Sequence, residues 1–283
     1  MKAKILIPIT ILAIVSMACS ISFNVPRSPK GETETFSIKE TLPADKQNLG
    51  VEIHVGAADL EVTSGSTNLV EGEIRYNNPD WKPAVEQTDG KVVINQPKMD
   101  DMNYIPRSDS LNEWDIKIGS APMDLVVNAG AYKGVIKFSD YALKMFTVND
   151  GASESKITFD DPNKAEMEKL VYKTGASKVD LIGLSNANFK EMSFDSGAGS
   201  YTLDFSGKLT QDAEVNIKSG VSNIEIIIPE GTSSQINLHG GLNNVELEGT
   251  WTSSGNEYST SGNGPKITID IDMGVGNIHL TSK

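Results

Sequence analysis

One cysteine, three histidines and three arginines are all that 283 residues hold of those types. A lone Cys19 excludes an intramolecular disulfide. Three scattered histidines, His54, His239 and His279, lack the clustered Cys and His spacing of a zinc site, and all three fall in the outward phase of their strands. No GxSxG elbow, HExxH helix or GxxxxGK[ST] phosphate loop occurs. Ser153 and Lys156 match SxxK by letter, but that motif belongs on a helix and Ser153 sits at a strand corner without its partner boxes. The expected lists of catalytic, cofactor-binding and metal-binding residues are therefore empty. Positive charge is also short: 25 Lys and Arg against 38 Asp and Glu give a net charge of −13, which repels phosphate backbones and excludes nucleic acid as a partner. Aromatics are only 6%, a frugal core suited to a thin stack of strands. Apart from the first 20 residues, no run approaches the roughly 20 apolar residues of a membrane-spanning helix.

Glycine, by contrast, recurs in one phrase: alternating apolar and polar residues, a glycine, then another alternating run. The copies centre on Gly56, Gly130, Gly151, Gly175, Gly197, Gly220, Gly241 and Gly274, with spacings of 21 to 24 residues apart from one of 74 and one of 33. A repeat near 22 residues means stacked coils. Five and three residues before each glycine stand apolar pairs, from Val51/Ile53 to Ile269/Ile271, and this period of two is strand chemistry. Glycine is expected at the corner because it alone reaches positive φ without a Cβ clash. The predicted fold is all-β: a parallel β-solenoid of about 22-residue coils with an N-terminal antiparallel cap. Its body falls into residues 35–122, the first coil and hairpin cap, and residues 123–283, the coils with a hairpin excursion at 249–265. Stacking in chain order puts Lys173, Asp195, Lys218, His239 and Asp272 in one column, Asn223, Asn244 and Asn277 in another, and Glu225 beside Glu246. Asp161 to Lys169 reads as a helical turn. Replacing Gly197 by Val is expected to damage folding far more than replacing Gly262, which sits in the excursion.

Lys2, Lys4 and the apolar run Ile5 to Val15 form a secretory signal over residues 1–18. Residues 19–34 contain Pro26, Pro29 and Gly31 and no periodic apolar face, so they read as a tether. A cysteine directly after the apolar run, behind Ala18, resembles the lipid-modified cysteine of bacterial lipoproteins, which implies a membrane anchor at Cys19. Ordinary cleavage after Ala18 with an unmodified thiol also satisfies the small-x-small rule.

The stretch WDIKIGSAPMDLVVNAGAYKGVIKF and the glycine-alanine corners after it resemble the toast-rack proteins of bacterial envelopes and the related adhesin-type repeat domains. The resemblance runs from Thr35 to the carboxyl terminus. It implies a stacked-strand fold outside the cytoplasmic membrane, in some members joined to envelope-stress signalling, and it brings no catalytic residues. The expected function is that of a non-enzymatic, surface-anchored envelope lipoprotein that binds another envelope protein or a glycan, adheres, or senses envelope state. A carbohydrate-active β-helix enzyme and a structural spacer are the alternatives. Candidate partner contacts are the aromatics of irregular segments, Trp81, Trp251 and Tyr258, whereas Trp114 reads as core.

Overall fold

The computed structural model describes residues 28–45, 47–97, 107 and 109–283. The strands in chain order are β1 (Glu34–Glu40), β2 (Gly50–Ser66), β3 (Val70–Tyr76), β4 (Ala84–Thr88), β5 (Lys91–Asn95), β6 (Asn112–Gly119), β7 (Met123–Phe138) and β8 (Leu143–Phe159). There follow β9 (Met167–Ile182), β10 (Phe189–Asp204), β11 (Ala213–Ile228), β12 (Ser233–Glu248), β13 (Thr252–Ser254), β14 (Glu257–Thr260) and β15 (Lys266–Ser282). They form one all-β sheet that is mostly parallel, in the order β1-β3-β6-β2-β7-β8-β9-β10-β11-β15-β12-β14-β13, with β5 and β4 branching from β2. β2 pairs with β7 from Gly50 to Thr63.

The long strands turn back at their glycines. Seven extended residues would carry Phe194 about 23 Å from Tyr201, yet the two rings, on one strand, lie 5.1 Å apart edge to face. Phe138 at the end of β7 likewise meets Phe146 near the start of β8 at 5.1 Å. The two limbs of each strand thus enclose the core between them, and all eight apolar pairs before the glycines are buried in it.

The glycine requirement has a different cause from the expected one. None of the corner glycines from Gly130 to Gly274 has a positive φ. A Cβ at Gly130, Gly151, Gly175, Gly197, Gly220, Gly274 or Gly241 would instead lie 2.4 to 2.8 Å from the carbonyl oxygen of the glycine in the neighbouring strand. The column is a steric slot through which backbones pass too closely for any side chain. Gly262 is no freer, since its Cβ would fall 2.1 Å from the Gly231 carbonyl.

Strand order differs from chain order at one end. The C-terminal strand β15 inserts between β11 and β12, matching Ile224 with Ile278 and Val245 with Ile278. The excursion after β12 supplies the hairpin β13-β14, and β14 pairs antiparallel with β12 over Ser234–Asn237. Insertion changes the charge columns. Asp272 stands between Lys218 and His239, and His279 stands between Glu225 and Glu246, so the expected Glu225–Glu246 adjacency does not occur. Placing His279 between the two glutamates removes an unfavourable cross-strand pair. Asn277 donates to Asn223 at 2.8 Å, while Asn244 turns to Glu246 at 3.2 Å.

The predicted turn at 161–169 is not helical; β9 begins at Met167. In the preceding loop Asn163, only 6% exposed, accepts from the Leu143 N–H at 2.9 Å and donates to the carbonyls of Leu143 at 2.8 Å and Ala187 at 3.1 Å. These three bonds fasten the loop to the start of β8 and to the Ala187 carbonyl. Asn163→Ala is expected to destabilise the protein by about 2–4 kcal/mol, because the three hydrogen bonds of a buried side chain are lost. Urea unfolding should show a lower midpoint at unchanged slope; a midpoint equal to wild type would remove the role assigned to this side chain.

At the other end β2 has no single neighbour. Beyond it, β5 pairs with its first limb and β6 with its second, leaving the corner open. Side chains take over the missing pairing. Gln96 Oε1 accepts from Gly56 N–H at 3.1 Å, Asn112 donates to the Ala57 carbonyl at 2.6 Å, and buried Trp114 Nε1 donates to Asn112 at 2.8 Å. The described end of the expected tether is also held: Gly31 N–H donates to the Asn77 carbonyl at 2.7 Å, and Ser28 is buried.

Candidate functional site

The outward residues two before each glycine form a polar row across the first limbs. His54, Asn128, Asn149, Lys173 and Asp195 are successive partners in the registers from β2 to β10. Asn149 Nδ2 donates to Asn128 Oδ1 at 2.9 Å, Asn128 Nδ2 donates to Glu52 at 3.2 Å, and His54 Nε2 meets the same Glu52 oxygen at 2.6 Å. Along this row runs an open groove of about 920 Å³, lined by Gly56, Ala129 and Gly130, by Asp150 and Thr174, and at the β2 end by Gln96 and Pro97. Gln96 is 6% exposed. Its oxygen is used by Gly56 and by Asn112 at 3.0 Å, whereas its buried Nε2 has no hydrogen-bond partner among the described residues.

Beneath the groove the inward residue before the glycine, apolar in β2, becomes Asp150 in β8 and Thr174 in β9. Asp150 accepts from Tyr172 at 2.8 Å and Ser153 at 3.0 Å, and also from Thr174. Because the single Tyr172 proton goes to Asp150, the Ser155 hydroxyl 2.7 Å away must donate to the Tyr172 oxygen. Burial pushes the Tyr132 phenol up to about 12. Burial likewise raises Tyr172, with the neighbouring Tyr132 and the Asp150 carboxylate adding to the effect. Both phenols stay protonated near neutrality, so this network is a fixed donor set that holds the Asp150 carboxylate inward. Among the described residues no group of three or more His, Cys, Asp or Glu side chains is placed to hold a metal ion.

The residues singled out in the sequence lie elsewhere. Trp81 is 2% exposed and packs in the core after a short 3-10 turn, Pro79–Trp81, so it offers no surface to a partner. Trp251 and Tyr258 are half-buried against the core at the β12 end, where Trp251 Nε1 donates to the Glu248 carbonyl at 3.0 Å. They cover the end of the stack on which β14 lies. Neither lines the groove. Cys19 lies outside the described residues. The signal that could have pointed to the groove is the break in the inward phase, where Asp150, Thr174 and Ser196 replace the apolar residue expected before a corner.

No curated protein matches this chain. Among solved structures, a "putative cell adhesion protein" from Clostridium sporogenes is 20% identical with a TM-score of 0.51, covering 89% of this chain and 100% of its own. A "putative adhesin" from Bacteroides fragilis is 14% identical with a TM-score of 0.42, covering 89% and 99%. A "putative lipid binding protein" from Parabacteroides distasonis is 14% identical with a TM-score of 0.41, covering 88% and 97%. The family model described as the N-terminal domain of toast_rack matches residues 27–171 and, in a second match, 163–227. Since those matches span well over half of the sequence and meet the strands that carry the glycine column, the chain belongs to the toast_rack N-terminal domain family.

Proposed function

We propose that this protein is a non-enzymatic binding module of the bacterial cell envelope, exported by its signal sequence and held to a membrane surface by lipid on Cys19. In this reading the body is a parallel β-solenoid of coils about 22 residues long, closed at one end by an antiparallel cap of β1, β3, β4, β5 and β6. Register offsets between neighbours, such as Met192 with Leu170 and with Val215, and the facing limbs within a strand support the coil. The side-chain substitutes at the β2 corner support the cap, because a stack end exposes unpaired main chain that must be satisfied. The fold shared with a protein called a putative cell adhesion protein agrees with a surface role.

The observation that carries the binding function is the long groove laid across consecutive strands and bordered by a row of polar side chains, with the buried Gln96 amide nitrogen unpartnered among the described residues at its β2 end. A pure spacer has no use for such a feature, since an unpartnered buried donor costs stability. Polysaccharide cleavage is the alternative, since Lys173 lines the groove together with Asp150 and Asp195; release of unsaturated products from acidic polysaccharides would favour it over the binding module.

The anchor is tested by cell fractionation of wild type and Cys19→Ser, with mass spectrometry of the mature amino terminus. Wild type should sediment with membranes and carry acyl mass on Cys19, and the variant should move almost entirely to the soluble fraction. An unmodified Cys19, or a variant that still sediments, would remove the anchor from this reading.

A further inference from the structure

We propose that the groove running from Gln96 to Asp195 binds a neutral linear glycan laid along the stack axis, with its terminal unit beside the Gln96 amide. This inference rests on the binding-module reading and adds its ligand class.

Three observations select that ligand. First, the main chain beneath the groove is fully engaged: β2, β7, β8, β9 and β10 pair in register on both sides of the corner. An extended peptide needs a free sheet edge to add itself as a strand, and the groove provides none. Recognition must pass through side-chain amides and hydroxyls, which match a ligand dense in hydroxyl and acetamido groups.

Second, the polar side chains repeat at the interstrand spacing of about 4.8 Å, close to the length of one pyranose ring. From His54 to Asp195 the row crosses four such intervals, about 19 Å. A polymer of sugar rings running perpendicular to the strands therefore meets one polar side chain per ring, while the small lining residues Gly56, Ala129 and Gly130 leave room for the rings. A single small ligand would use one or two of these groups and leave the rest idle.

Third, the free valences suit a polyol. Gln96 Nε2 is a buried donor without an acceptor among the described residues. Asn149 gives its N–H to Asn128 and keeps its own oxygen as an acceptor. Lys173 donates and Asp195 accepts further along the row. Donors and acceptors thus alternate, which is what hydroxyl groups, each both donor and acceptor, can satisfy. The protein's net charge of −13 disfavours polyanions.

The test is an array of neutral and acidic linear hexasaccharides, including cellohexaose, N-acetylchitohexaose and oligogalacturonate, probed with the full-length protein, followed by calorimetry on the hits. A neutral hexamer should bind. Asn149→Ala/Lys173→Ala should weaken it at least tenfold, and Asn277→Ala, on the other limb, should leave it unchanged. Should the double variant fail to fold, side-chain amide NMR of wild type decides instead: titration with the hexamer must shift the Asn128, Asn149 and Gln96 amides. Binding of acidic hexamers alone, no binding of any, or shifts confined to other amides would overturn the proposal. Fractionation of Cys19→Ser reports on the anchor without touching this groove, so the two readings fail separately.

Discussion

Gly197→Val is expected to unfold the stack or cost more than about 4 kcal/mol, in the range reserved for gross steric conflict. Gly197 stands in the middle of the glycine column, and its Cβ would lie 2.4 Å from the Gly175 carbonyl oxygen. That atom belongs to main chain whose strand is paired on both sides, so it has nowhere to move. Relief requires separating β9 from β10, which breaks a ladder running from Phe189 to Asp204. Gly50→Ala is the matched control: its Cβ would make only ordinary van der Waals contacts, with the flexible Lys91 side chain at 3.5 Å and the Asp124 carbonyl oxygen at 3.7 Å. Circular dichroism and urea unfolding should show Gly50→Ala within about 0.5 kcal/mol of wild type and Gly197→Val unfolded or far weaker. A stable Gly197→Val protein would mean that the column is not a steric slot.

This result bears on what could be read from the chain alone. The apolar pair before each glycine is a property of single strands, and period two survives in the sequence whatever the neighbours are; every one of those pairs is buried. The reason for the glycine is not such a property. Positive φ and close backbone approach leave the same residue behind, and only the distance from Gly197 to the Gly175 carbonyl tells them apart. Trp81 failed as a surface candidate because Pro79 and Pro83 mark a turn but do not say which side of it faces the core. The groove was hidden for a related reason. Asn128, Asn149 and Lys173 read as an ordinary solvated row, and Gln96, at the β2 end of that row, comes from an irregular segment 40 residues from the Gly56 it contacts. Strand order was the least legible feature. β12 and β15 carry the same phrase, and either would fit against β11. The two orders differ in which residues meet across strands distant in sequence, and the observed one keeps Glu225 apart from Glu246.

Deleting residues 266–283 should therefore strip protection from β12 while leaving the middle of the stack folded. β12 has full-length pairing only with β15; on its other side β14 holds just Ser234–Asn237. Removing β15 also removes Ile267, Ile269, Ile271, Ile278 and Leu280 from the core, all essentially buried. Docking of β12 directly onto β11 would be the alternative, and it would set Glu225 and Glu246 side by side, which is unfavourable across strands. In a stack each strand depends mainly on its neighbours, so the loss should stay local. Hydrogen exchange of the truncated chain is expected to show β12 amides exchanging at unfolded rates and β8, β9 and β10 protected as in the full chain. Retained protection in β12 would show that it can use β11 as its platform, and global unfolding would show that the stack is not built from near-independent neighbours. The same logic sets an order of assembly. Although β12 leaves the ribosome before β15, it acquires its platform only when the last strand has slid into place, so β12 should be the last long strand to gain protection on refolding.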